Sequence, residues 1–253
     1  MDKLTIGVES LSSCEGCSLV VLECEAELLD ILQYVEVKSF REAMTERDDN
    51  VDIMFVDGAV TSPQDEEELR EYRAKCKTLV AIGACACMGG LYALKNPQGK
   101  DVYAKRVYGE HADWYPTQDA MPLDAFVKVD LKIRGCPMSK PEFLEVVKSL
   151  VVGRTPHIPD YPVCAECKLR ENACLWHKGE VCLGPIARAG CQAICPSYGG
   201  RCWACRGFIS EPNKNAAKDV MEEFGLTVED IKRQFMLANT VSETANTIFS
   251  DKK

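Results

Sequence analysis

Apolar and polar positions change rhythm several times along the chain, and each change marks an element. Residues 4–8 alternate as a short strand, and Ser12-Ser13-Cys14-Glu15-Gly16-Cys17 follows as a turn. From Ser18 to about Leu32, the positions Leu19, Leu22, Ala26, Leu29 and Leu32 recur at helical spacing and predict one amphipathic helix. Residues 51–56, Val-Asp-Ile-Met-Phe-Val, are a compact run of the kind buried strands carry, ending at Asp57-Gly58. Pro63 opens a charged helix to about Cys76, with acidic residues in its first turn, where the helix dipole favours them. Residues 79–82 predict the next strand, ending in Gly83-Ala84-Cys85. After a long irregular stretch, about 95–125, residues 127–133 predict a last strand ending in Gly135-Cys136-Pro137, and residues 143–152 a helix. This alternation predicts an α/β fold with a flavodoxin-like, doubly wound parallel sheet.

From Thr155 the character changes. Pro156, Pro159 and Pro162 read as a linker, and a cysteine-rich, loop-dominated segment follows with almost no periodicity. Helical patterning returns from Glu211. Thr227 and Asp230 form a T-x-x-D capping box at the head of a helix carrying Ile231, Phe235 and Leu237. Two domains are therefore expected, 1–155 and 156–253, the second ending in C-terminal helices.

Composition narrows the function. The 253 residues are 46% hydrophobic with a net charge of −9, and no basic cluster accumulates. A nucleic-acid surface needs a positive face, so that class is set aside. No apolar run approaches the roughly 18 residues of a membrane span. The start, Met1-Asp2-Lys3-Leu4-Thr5-Ile6, has no secretory pattern, which makes the cytoplasm the expected location.

Cysteine changes the picture most. There are 15, and a reducing compartment favours metal or redox roles over disulfides. Cys14 and Cys17 follow the first strand, Cys85 a later one and Cys136 the last. In an open parallel sheet, ligands bind beyond the carboxyl ends of strands, so three loops would bring these four thiols together. Four thiolates are the requirement of a four-iron cluster; the alternative is that Cys85 and Cys136 are buried core thiols. The later segment reads Cys164-x2-Cys167-x6-Cys174-x7-Cys182-x8-Cys191-x3-Cys195-Pro-x5-Cys202-x2-Cys205. Eight thiols make two four-iron sets or two structural zinc sites. The C-x2-C-x2-C-x3-C-P run of bacterial ferredoxins is absent. With so little apolar sequence in this segment, bound metal is expected to supply much of its stability.

Together these residues resemble the small subunit of nickel–iron hydrogenases over nearly the whole chain. The family's C-x-x-C, G-x-C-A-x-x-G-G and G-C-P stand as Cys14-Glu-Gly-Cys17, Gly83-Ala-Cys85-Ala-Cys-Met-Gly89-Gly90 and Gly135-Cys136-Pro137. The resemblance implies a proximal 4Fe-4S cluster on Cys14, Cys17, Cys85 and Cys136. It implies a distal one on Cys164, Cys167, Cys174 and Cys182, and a medial one on Cys191, Cys195, Cys202 and Cys205. Tyr161-Pro-Val-Cys-Ala-Glu-Cys, Cys182-Leu-Gly-Pro, Arg188-Ala-Gly-Cys and Cys205-Arg-Gly are similar to the cytoplasmic multisubunit branch, which includes sulfhydrogenase delta subunits and methyl-viologen-reducing hydrogenases. Exported members have histidine where Cys164 stands and proline where Cys195 stands, and they carry a twin-arginine leader. The implied role is electron transfer through three 4Fe-4S clusters. The resemblance further implies a nickel–iron centre in a large-subunit partner and a flavin or iron–sulfur subunit that completes the path. An all-thiolate set suits low-potential acceptors. The rivals are a regulatory hydrogen sensor, a complex I-like quinone-reductase subunit, which lacks the eight-cysteine segment, and a zinc-stabilised module.

The remaining residues have plainer readings. Cys24, in the first helix, and Cys76, ending the acidic one, read as packing or surface thiols, and Cys87 as a neighbour of Cys85 or a substitute ligand. Glu15 reads as a solvated loop carboxylate, and Met88 and Met138 as packing residues. Arg188 and Arg206 flank ligand cysteines, facing cluster sulfurs or forming salt bridges. His111, His157 and His177 belong to no motif.

Overall fold

The computed structural model describes residues 3–48 and 50–241. The chain divides into two compact units, 1–157 and 158–253.

The first unit is built on five parallel strands: β1 (Leu4–Ser10), β2 (Val35–Phe40), β3 (Val51–Asp57), β4 (Cys76–Ile82) and β5 (Leu131–Ile133). Their order is β2-β1-β3-β4-β5, the flavodoxin-like winding. Both faces are covered, so the central strands are apolar on both sides. Along β3, Ile53 and Phe55 join one core with Val20, Val21, Phe143 and Val147. Met54 and Val56 join another with Leu69, Leu79 and Leu123. The helices are α1 (Gly16–Leu22), α2 (Glu25–Ile31), α3 (Pro63–Lys75), α4 (Gly83–Met88), α5 (Lys100–Tyr108) and α6 (Lys140–Val151).

Four elements differ from the sequence pattern. The helix expected over 18–32 breaks into α1 and α2 around Glu23 and Cys24, which resets the period. Leu19 and Leu29 are consequently exposed, at 50% and 73%, while Val20, Val21, Cys24 and Ile31 are buried. Strand β2 is absent from the periodic reading because it is an edge strand carrying Glu36 and Lys38, which pair at 2.8 Å. The ladder of β5 is three residues long. Just before it, Asp130 turns its carboxylate on the Leu79 N–H (3.0 Å) and on Arg73 (2.6 Å). Within the stretch expected to be irregular, α5 forms but buries none of its side chains.

The second unit has an apolar core of Val163, Leu175, Trp176, Leu183, Ile186, Phe208 and Met221, with Cys182 among them. Metal is thus not the sole source of its cohesion. Trp176 packs on Phe224 with ring centroids 4.9 Å apart. Its helices are α7 (Val163–Leu169), α8 (Ile194–Ser197), α9 (Lys214–Glu223) and α10 (Val228–Asn239). Thr227 and Asp230 form the capping box that heads α10. Among the described residues no helix is long and apolar enough to cross a membrane.

Candidate metal centres

In the first unit, Cys14 and Cys17 follow β1, Cys85 lies on α4 directly after β4, and Cys136 follows β5. The structure gathers the four at one edge of the sheet. Cys17 has Cys85 and Cys136 as charge neighbours, Cys85 has Cys136 and Cys14, and Cys136 has Cys14. Burial first, then the Asp57 carboxylate and then the neighbouring thiols raise Cys17 and Cys85, pushing Cys85 up to about 12 and Cys17 further, and burial followed by Cys14 raises Cys136. A cation that takes them as thiolates must therefore displace protons.

The backbone is shaped around these sulfurs. A Cβ on Gly83 (φ +85°) would lie 2.5 Å from the Cys17 sulfur, and one on Gly90 (φ +52°) 2.8 Å from that of Cys85. The Met138 N–H donates toward the Cys17 sulfur and the Leu91 N–H toward that of Cys85. Asp57, buried at the end of β3, accepts from the N–H of Gly58 (2.7 Å), Cys17 and Ser18 and from the Ser13 hydroxyl, which fixes the Cys14–Cys17 turn. Burial raises its carboxyl. Glu15 is not a solvated loop carboxylate: it is half-buried in a left-handed conformation (φ +61°), and burial raises its carboxyl against the Ser10 hydroxyl.

The other three thiols stand apart from this group. Cys24 is buried where α1 ends and donates to the Val20 carbonyl (3.3 Å). Cys76 opens β4 rather than ending a helix, and is buried. Cys87 is buried and faces the strands, donating to the carbonyls of Ala81 (3.4 Å) and Ile133 (3.7 Å). Met88 and Met138 are packed in the core, and His111 lies against Trp114.

In the second unit, Cys164 and Cys167 lie on α7, and Cys174 and Cys182 flank a short 3-10 turn over Leu175–Lys178. Cys164 has Cys182, Cys167 and Cys174 as charge neighbours, and Cys182 has Cys167 and Cys174, so these four form one group. Burial and then those neighbours push Cys164 up to about 11. A Cβ on Gly184 would lie 3.1 Å from the Cys164 sulfur, and the Gly184 N–H donates to that of Cys182.

Cys202, raised well above the ordinary thiol range by burial, has Cys182, Cys205 and Cys191 as charge neighbours. Its N–H donates to the Cys182 sulfur (3.3 Å), so the two groups touch. Cys195 sits exposed on α8. Backbone donors recur here: Ala193 and Ile194 toward the Cys191 sulfur, Ala204 toward that of Cys202. Arg188 pairs with Asp160 (2.7 Å), while the Arg206 Nε donates to the Ala189 carbonyl (2.8 Å).

Among the described residues, no three His, Cys, Asp or Glu side chains are gathered tightly enough to hold a single metal ion. A four-iron cluster spreads its four thiolate ligands more widely than one tetrahedral ion does. The group at the sheet edge and the group of Cys164, Cys167, Cys174 and Cys182 fit such a cluster, each with glycine close against its sulfurs and backbone N–H donors toward them. Cys191, Cys202 and Cys205 are neighbours, with N–H donors toward the first two, and Cys195 lies exposed nearby in sequence. Sequence spacing does not disclose Asp57 or the amide donors, although Asp57-Gly58 at a strand end marks the place.

A flavodoxin-like sheet with thiols at its strand ends defines a class, and comparison bears this out. Residues 14–150 match the family described as NADH ubiquinone oxidoreductase, 20 Kd subunit, and the chain belongs to that family. The similar proteins include hydrogenase subunits. The chain is 36% identical to sulfhydrogenase 2 subunit delta of Pyrococcus furiosus, over 91% of this chain and 97% of that one. It is 31% identical to a subunit of the F420-non-reducing hydrogenase vhu of Methanococcus voltae, over 83% of this chain and 84% of that one. Among solved structures, an NAD+-reducing NiFe-hydrogenase in the H2-reduced state matches with a TM-score of 0.57 and 28% identity, covering 62% of this chain and 96% of that one.

Proposed function

We propose that this chain is the electron-transfer small subunit of a cytoplasmic nickel–iron hydrogenase. Cys14, Cys17, Cys85 and Cys136 hold a proximal 4Fe-4S cluster. Cys191, Cys195, Cys202 and Cys205 hold a medial one, and Cys164, Cys167, Cys174 and Cys182 a distal one. When bound, the clusters supply one-electron steps between the nickel–iron centre of a large-subunit partner and a flavin or iron–sulfur subunit. The observation that carries this reading is the convergence of four thiols from three loops at one sheet edge.

The chain's own residues bind and tune. Backbone N–H groups of Met138, Leu91, Gly184, Ile194 and Ala204 donate to sulfur, and that of Ala193 is shared between the Cys191 sulfur and the Glu166 carboxylate. Such bonds and burial set each potential. In this reading the H2-splitting centre belongs to the large-subunit partner, so turnover requires that partner. The complex I-like alternative accounts for residues 14–150 but not for the eight-thiol unit. Relatives that match nearly the full length support the hydrogenase reading.

Anaerobically purified complex should carry about twelve iron and twelve sulfide per copy of this chain. Cys136→Ser should lose about four irons and stop H2-driven reduction of every acceptor, dyes included. Stoichiometric zinc in place of iron, or dye reduction at the wild-type rate in Cys136→Ser, would refute the assignment.

A further inference from the structure

Glu166 lies between Cys164 and Cys167 in the chain, yet its carboxylate serves the other thiol group of the second unit. One oxygen accepts the Gly190 N–H (2.8 Å) and the other the Ala193 N–H (3.1 Å). Between those two amides stands Cys191, and the loop is strained: Gln192 and Ala193 are left-handed without being glycine, at φ +56° and +50°. Such residues persist only where their surroundings hold them. On the other side of the same loop, buried Arg206 donates to Ala189 and packs so closely that a Cβ on Gly190 would lie 2.5 Å from its guanidinium. A carboxylate and a guanidinium thus grip the loop, and both charges are felt at the Cys191 sulfur with opposite sign.

We propose that Glu166 is a positioning residue for the site built on Cys191, Cys195, Cys202 and Cys205. It holds the strained 190–193 loop closed and places a fixed negative charge beside Cys191, with Arg206 as its counterweight. This rests on the iron–sulfur reading of that site. A negative charge beside a cluster disfavours the added electron, so its removal favours reduction.

The test is an EPR-monitored redox titration of the purified hydrogenase complex, with iron analysis. Glu166→Gln should keep about twelve irons per chain. It should raise the midpoint of one cluster by about tenfold in its reduction equilibrium, roughly 59 mV for a one-electron step, and move the other two less. Glu166→Asp, which keeps the charge, should return that midpoint toward wild type. If Glu166→Gln instead loses about four irons while Glu166→Asp keeps them, the bracing role stands, because the iron then follows the carboxylate rather than the side chain's length. Full iron with unmoved midpoints in Glu166→Gln, or iron loss in both variants, overturns the proposal. Zinc in place of iron in the wild-type complex would instead sink the iron–sulfur reading beneath it.

Discussion

Gly83 and Cys87 lie four positions apart and show two different ways in which a residue serves the first thiol group. Gly83 makes room. Its positive φ and the Cys17 sulfur 2.5 Å from any added Cβ leave no relaxed place for a side chain. Gly83→Ala should therefore displace Cys17 and lose about four irons per chain, with strain on the order of 1–3 kcal/mol. Iron analysis and thermal denaturation measure both, and a fully loaded, equally stable variant would contradict this account. Cys87 packs. Its thiol is spent on two strand carbonyls, and burial pushes it up to about 12. Cys87→Ala should keep its iron and lose on the order of 1 kcal/mol to the small cavity. A deficit of four irons would make it a ligand after all.

At the scale of the element, the sequence was most legible where local chemistry and burial agree. Helix α3 starts at Pro63 with acidic residues in its first turn, as expected, and the structure adds Ser62 as its cap. The Asp65 N–H donates to the Ser62 hydroxyl (3.1 Å), and its carboxylate accepts the Ser62 N–H (2.9 Å). The same carboxylate receives the Ser12 hydroxyl (3.0 Å), tying the helix to the loop that leads into Cys14. Ser62→Ala removes only the cap, so a loss of about 1 kcal/mol is expected with iron content unchanged; an unshifted melting temperature would mean that the cap is redundant. Legibility failed where tertiary setting overrides pattern. The charges on β2 hide an edge strand, and the break at Cys24 turns a convincing leucine stripe partly toward solvent. Neither signal lies in a window of a few residues.

At the scale of the molecule, the two units disclosed their chemistry by different routes. The first did so through topology, because strand-end cysteines are brought together only if the sheet is parallel and wound as it is. The second did so through spacing alone, with no periodic structure to support it. What neither route reveals is the bracing: Asp57 under the Cys14–Cys17 turn, and Glu166 and Arg206 around Cys191. Those contacts join residues 17 or more positions apart, and a carboxylate in a sequence does not announce which distant amide it will hold.

Among the described residues, the non-glycine positions in left-handed conformation are Glu15, Glu171, Gln192, Ala193 and Ala204, and each lies within three residues of a thiol assigned to a cluster. In the iron–sulfur reading proposed above, bound metal would offset part of the strain of such turns, beside protein contacts such as those of Glu166 and Arg206. On that reading a chain without metal would release them and expose its loops to proteolysis, so the same strain that shapes the sites would also proofread their maturation. Lys168 and Arg170, both exposed beside Glu171, are the natural cut points for trypsin. Brief digestion should nick the metal-free protein there and spare the loaded one; equal cleavage of both would mean that the turns hold their shape without metal.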